Sequence, residues 1–244
     1  MENTTWSNLS IHGNEFYADN VGAASGGTAA IYISQGPSAN VYNNTFRQNK
    51  MSREIGLGHA LSPGTTPQVV RIYNNSFWSW TAAILSETET KQANRSVYIE
   101  NNIFYNTQNT ATGIALKFSN DVEPLSLNNN IYFNPNRDAS SQYVIHWMGV
   151  YKKFSEIQAL GFETHGMYAN PAYADLNKTP NSAVDLNLQA GSPAIGAGTD
   201  LSRFFTTDMA GTLRSDWDIG AFEHVDAGVD TMAPNAPGSI EVIE

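Results

Sequence analysis

Along the first half of the chain one order of residues recurs: an apolar residue, a polar residue, an Asn-centred pair, a variable residue and an aromatic. Five segments carry it: Ile11-His-Gly-Asn-Glu-Phe16, Val41-Tyr-Asn-Asn-Thr-Phe46, Ile72-Tyr-Asn-Asn-Ser-Phe77, Ile99-Glu-Asn-Asn-Ile-Phe104 and Leu127-Asn-Asn-Asn-Ile-Tyr132. Their leading apolar residues stand 30, 31, 27 and 28 positions apart. Short alternating or β-branched runs lie between them, such as Ala30 to Ile33 and Ile114 to Phe118. No helical period survives within a unit, and Gly, Asn, Ser and Pro separate two or three short strands in each. A repeated strand-only unit of this length is one coil of a solenoid. Stacking at the ~4.8 Å spacing of a sheet turns equivalent positions into ladders. The spacing predicts an apolar ladder (Ile11, Val41, Ile72, Ile99, Leu127) and an aromatic one (Phe16, Phe46, Phe77, Phe104, Tyr132). It also predicts an amide ladder at the turn through Asn43, Asn74, Asn101 and Asn129, because Asn tolerates the left-handed region and its amide can bond the next coil. Strings such as Asn43-Asn44-Thr45 therefore read as ladder positions and not as glycan acceptors.

The repeat stops after Trp147. Phe154 to Gln158 reads as a short helix with Ser155 as N-cap, Gln158 closing a capping box and Gly161 as the stop. From Val225 the composition shifts to a linker, and Ser239-Ile-Glu-Val-Ile-Glu244 alternates like the start of another β domain. Residues 1–147 are thus expected to form about five coils, 148–224 an irregular C-terminal cap with one short helix, and 225–244 a linker and the start of a further domain. The first coil follows Met1 without a capping segment. Upstream coils or another covering surface are therefore expected at that end.

Composition narrows the function. Of 244 residues, 41% are hydrophobic and 15% charged, which excludes a long disordered chain and a coiled coil. A net charge of −10 with no basic block argues against nucleic acid and anionic membrane surfaces as partners. No apolar run reaches the ~18–20 residues of a membrane span. The chain has no cysteine, which removes disulfides, thiolate metal sites and cysteine nucleophiles. Histidines are scattered without metal-ligand spacing, so no metal site is assigned and no cofactor is required. A Ca²⁺ ion between loops is compatible with the sequence but has no locatable ligand set.

The coil pattern resembles the right-handed parallel β-helix repeat family, whose members include secreted bacterial polysaccharide lyases. Asn170-Pro-Ala-Tyr173, Gly191-Ser-Pro-Ala-Ile-Gly-Ala-Gly198, Asp208-Met-Ala-Gly211, Arg214 and Asp218-Ile-Gly-Ala-Phe-Glu223 resemble the C-terminal cap of such proteins. The resemblance implies an all-β, pectate-lyase-like solenoid. It also implies a secreted or cell-surface location, the signal peptide being absent from this sequence, and a polysaccharide partner. The cap residues Asp208, Arg214, Asp218 and Glu223 read as a structural network tying loops together, with Arg214 buried against an acidic neighbour.

Alternation about the apolar ladder places two columns on the outer face of one sheet. One holds Ser10, Asn40, Arg71, Tyr98 and Ser126; the other holds His12, Tyr42, Tyr73, Glu100 and Asn128. Arg71, Tyr73, Tyr98 and Glu100 then form a square that Tyr42 and His12 extend. Aromatic faces stack on sugar rings, Arg pairs with carboxylate or sulfate, and Glu accepts from hydroxyls. Those six residues are the predicted substrate-binding set for an acidic glycan. For β-elimination, Arg71 is the predicted neutraliser of the uronate carboxylate, with Tyr73, Tyr98 or His12 as base. Glycosidase chemistry needs two carboxyls ~5–9 Å apart. Only Glu100 is on this face, with Asp121 and Glu123 on a later turn. Whether the chain is an enzyme stays open: part of a polysaccharide lyase is the leading expectation, beside a non-catalytic glycan-binding module and a structural stalk of a surface protein. Further domains of the same polypeptide are expected partners at its C-terminus and at its N-terminus.

Overall fold

The computed structural model describes residues 8–17, 29–34, 36–47, 53–58, 67–79, 82–86, 95–107, 109–118, 125–175 and 186–226. Its elements are β1 (Asn8–His12), β2 (Glu15–Tyr17), β3 (Ala29–Ile33), β4 (Ser38–Tyr42), β5 (Thr45–Arg47), β6 (Arg53–Leu57), β7 (Gln68–Tyr73), β8 (Ser76–Ser79) and β9 (Ala82–Ser86). They continue with β10 (Arg95–Glu100), β11 (Ile103–Asn106), β12 (Leu116–Lys117), β13 (Ser126–Asn128), β14 (Ile131–Phe133), β15 (Tyr143–Trp147), β16 (Val150–Lys153), α1 (Phe154–Gln158) and β17 (Met167–Tyr168). Every third strand joins the same sheet, except β16, which folds back beside β15. The first sheet runs β1-β4-β7-β10-β13, the second β17-β14-β11-β8-β5-β2 and the third β16-β15-β12-β9-β6-β3. All pairings are parallel except the terminal hairpin β15–β16. The chain is a parallel β-solenoid. The expected coil number needs correction. About three turns, 67–86, 95–118 and 125–147, are traced through all three strands with at most two residues missing inside. The two preceding rungs are described only strand by strand, because 18–28 and 48–52 lie outside the described residues. Asn20, Asn49, His59, Asp121, Glu123 and most of the expected linker also lie outside them.

The two predicted apolar ladders follow from register. Ile11, Val41, Ile72, Ile99 and Leu127 are directly paired along the first sheet. Phe16, Phe46, Phe77, Phe104 and Tyr132 are paired along the second, with successive ring centroids 4.8, 4.6, 5.1 and 5.2 Å apart. The third sheet adds Ile31, Ile55, Ile84, Leu116 and Ile145. Period-two alternation turns these side chains inward, and similar apolar neighbours one rung away fill the interior between the sheets.

The Asn pair divides its labour differently from the sequence expectation. Asn43, Asn74, Asn101 and Asn129 do adopt the left-handed region, at φ 51°, 48°, 58° and 54°. The continuous amide ladder, however, runs through their neighbours Asn14, Asn44, Asn75, Asn102 and Asn130. In the first four of these, the backbone N–H and the side-chain amide both donate to the Oδ1 of the next rung, at 2.8–3.1 Å. The left-handed residue turns the chain, which aims the second Asn into the bend, where both halves of its amide find partners.

The ladder ends on a carboxylate. Asn130 donates through its backbone N–H and its amide to Glu163, at 3.1 and 2.8 Å, and the Tyr132 hydroxyl adds a third bond at 2.7 Å. Burial pushes the Glu163 carboxyl up to about 7, against the lowering effect of the Tyr132 and Asn130 bonds. The folded state therefore holds this proton more tightly than the unfolded chain, where glutamate titrates near ~4.3. The resulting stability is present below that value and is lost as pH rises through about 7. Across that window, wild type is expected to lose about 3 kcal/mol of unfolding free energy relative to Glu163→Gln. Denaturant titrations of both proteins over the same pH series check this. A pH-independent difference would contradict it.

Beyond β15 the chain closes the C-terminal end. α1 buries Phe154 and Ile157 on the core, beside Trp147. The helix begins one residue before the expected N-cap Ser155: Lys153 is the N-cap, and the Glu156 carboxylate, not Gln158, reaches back to the Lys153 N–H at 2.6 Å. Residues 186–226 then run along the flank of the solenoid, over the Asn turns. The outward amides hold them there. Asn43 donates to Thr207 O at 2.7 Å, Asn74 to Asp218 O at 2.8 Å, Asn101 to Thr199 O at 2.8 Å and Asn129 to Ala197 O at 3.0 Å. At Gly220 (φ +103°) the backbone comes so close that a Cβ would lie 2.7 Å from Ile103 Cδ1. Arg214 is buried inside this segment. It donates to Glu223 at 3.2 Å, to the Gly220 carbonyl at 2.9 Å and to Asn43 Oδ1 at 2.8 Å.

Candidate functional site

Both predicted outer columns exist in register. Ser10, Asn40, Arg71, Tyr98 and Ser126 are paired in sequence across the first sheet, as are His12, Tyr42, Tyr73, Glu100 and Asn128. The square of Arg71, Tyr98, Tyr73 and Glu100 therefore forms on β7 and β10.

The C-terminal segment changes what the square presents. Leu201, Phe204, Phe205 and Trp217 settle over the second column as an apolar cluster. Tyr73 is buried beneath them, 2% exposed, with its ring 5.4 Å from that of Phe204. Burial, reinforced by neighbouring Glu100, pushes the Tyr73 phenol far above its ordinary value, which disfavours it as a proton acceptor. Tyr42 is half-buried and sandwiched between His12, at 4.6 Å, and Phe205, at 4.5 Å; burial raises its phenol too. His12 is exposed at the far end of this stack, two rungs from Arg71.

The first column is covered less: Ser10 is exposed and Asn40, Arg71, Tyr98 and Ser126 are half-buried. The Arg71 guanidinium lies over Tyr98 at 5.6 Å and over Phe204 at 5.0 Å, and reaches Asn40 Oδ1 at 3.4 Å. Arg203 lies over the same Phe204 ring at 4.6 Å. Neither arginine has an ion pair among the described residues. Glu100 accepts from the Ser126 hydroxyl, one rung on. Beyond it, Asn128 Oδ1 accepts the His165 backbone N–H at 2.9 Å, so its amide nitrogen, 3.1 Å from the ring, donates to Nδ1.

The result is a strip with unpaired cationic charge flanked by aromatic rings, and with hydroxyl, amide and carboxylate groups at its C-terminal end. It can hold an anionic group at Arg71 while a ring or an apolar face rests on Tyr98 or Phe204. The sequence reading missed Arg203, Phe204 and His165. A signal was available for the cover: Leu201, Phe204, Phe205 and Trp217 fall in a segment without strand alternation and must bury against something. Lys117 is exposed on β12 of the third sheet. Among the described residues, no three His, Asp or Glu side chains group as metal ligands. No family model matches the chain, and a search of curated proteins finds no match.

Proposed function

We propose that this solenoid is a secreted carbohydrate-active protein that holds an acidic, uronate-containing polysaccharide along the less covered column of its first sheet. The observation that carries the reading is Arg71: a guanidinium without a carboxylate partner among the described residues, held between Tyr98 and Phe204 on an otherwise polar strip. Electrostatics of that kind suit a sugar carboxylate, which a bidentate guanidinium recognises while a neighbouring ring covers the sugar face. The coil pattern and the C-terminal string, both resembling those of secreted β-helix lyases, support the same substrate class.

As part of a polysaccharide lyase, the strip acts by β-elimination. Arg71 neutralises the carboxylate and acidifies the adjacent carbon; Tyr98, beside it, takes the proton from that carbon as it gives its own hydroxyl proton to the leaving oxygen. As that C–H bond breaks, its electron pair forms the C=C bond, and the glycosidic C–O bond breaks toward a leaving oxygen that is protonated in turn. The burial of Tyr73 favours a second reading, a non-catalytic glycan-binding module, because it removes one of the candidate bases from the square. Incubation with a panel of uronate polysaccharides separates the two. Ultraviolet absorbance of an unsaturated product supports the lyase, and retention without turnover supports the binding module. Neither would leave a structural stalk. Arg71→Ala is expected to weaken binding by ~1.5–3 kcal/mol, the range of a charge-assisted hydrogen bond.

A further inference from the structure

All three lysines among the described residues lie on two strands of the third sheet, Lys117 on β12 and Lys152 and Lys153 on β16. None has an ion pair among the described residues, although the chain carries a net charge of −10. Register puts two of them on one face. Lys117 pairs with His146, His146 with Tyr151, and Tyr143 with Lys153. Lys152 pairs with the inward-facing Ile145 and alternates to the other side.

Aromatic rings floor the space between the two lysines. Tyr151 is 41% exposed and lies 5.6 Å from Tyr143 and 4.5 Å, edge-on, from His146. The Lys153 ammonium sits 5.9 Å over Tyr143. From β12 to β16 the face spans two strand spacings, ~10 Å, about the reach of two linked sugar rings. Lysines on a sheet face ordinarily find a carboxylate or scatter among solvated charges. Here they flank a platform of tyrosine and histidine rings.

We propose that this corner of the third sheet is a second glycan-binding surface, with Tyr143, His146 and Tyr151 supporting sugar rings and Lys117 and Lys153 pairing with their acidic groups. Charge complementarity selects an anionic polysaccharide over a neutral one, because two ammonium groups without an ion pair among the described residues attract a polyanion and leave a neutral chain unrewarded. The surface lies on a different sheet from the Arg71 strip, so a long polymer wrapping the solenoid engages both and gains avidity from the second contact.

The test is lysine footprinting by mass spectrometry with an amine-acylating reagent, with and without short oligouronates, followed by affinity measurements on a Lys117→Gln, Lys153→Gln variant. Saturating oligouronate is expected to protect Lys117 and Lys153 from acylation, whereas carboxyl-reduced oligomers are not. The double variant is expected to bind about tenfold more weakly at this site, equivalent to 1.4 kcal/mol. Unchanged acylation at both lysines under saturation overturns the proposal, as does equal protection by the neutral oligomers. An Arg71→Ala protein keeps the two failures apart: protection that persists there locates binding on the third sheet whatever the fate of the first-sheet reading.

Discussion

Arg214→Ala is expected to lower the unfolding free energy by about 3–5 kcal/mol, the usual consequence of removing one partner of a buried ion pair. The pair is Arg214 with Glu223, the arginine being 5% exposed and the glutamate 7%. Glu223 would be left with three backbone N–H donors, from Ser215, Asp216 and Asp218, but without its cation. Three further losses add to this, the first being the donor to the Asp218 carbonyl at 3.2 Å. The Gly220 carbonyl and Asn43 Oδ1 both lose a charged donor, and Asn43 is the point where the flank segment grips the second rung. Arg214→Lys should recover only part of the loss, since a single ammonium cannot reach all of these acceptors at once. Denaturant unfolding reads the effect. A loss below ~1 kcal/mol would mean that the arginine is no more than a surface-type pair.

Phe77→Ala is the second large effect, at about 3–5 kcal/mol. Its ring is fully buried in the middle of the aromatic column, 4.6 Å from Phe46 and 5.1 Å from Phe104. Truncation leaves a cavity walled by two rings that the backbone ladder fixes one strand spacing apart, so collapse is limited. Phe16→Ala should cost clearly less, because Phe16 is only half-buried and has a ring on one side. Equal losses for the two variants, measured by thermal or denaturant unfolding, would contradict the stacked interior.

The parts of this architecture that were legible in the sequence are those set by period and repeat. Alternation about Ile72 and Ile99 fixed which side chains face out, and the repeat length fixed who stands beside whom, so both outer columns could be written down correctly. The choice between the two Asn residues of each turn was not legible. It depends on which one takes the left-handed conformation, and adjacent identical residues carry no sequence signal for that. Glu163 terminates the amide ladder from beyond a helix, where the repeat period no longer applies. The cover over Tyr73 and Tyr42 was missed for a related reason: Leu201, Phe204 and Phe205 reach the first sheet across more than a hundred residues of chain, with no periodicity to give their register. Exposure of a column can be read from alternation only where nothing non-repetitive folds back onto it.

The less covered column of the first sheet as an acidic-glycan site is tested most directly by calorimetric titration of an oligouronate into wild type and into an Arg71→Ala, Tyr98→Ala variant, at low and high salt. Wild type should bind, and more weakly as salt screens the charge. The double variant should bind at least tenfold more weakly at low salt and show a shallower salt dependence, because it lacks the charge that screening removes. Equal affinities and equal salt slopes for the two proteins would contradict the account and leave this face an ordinary solvated sheet.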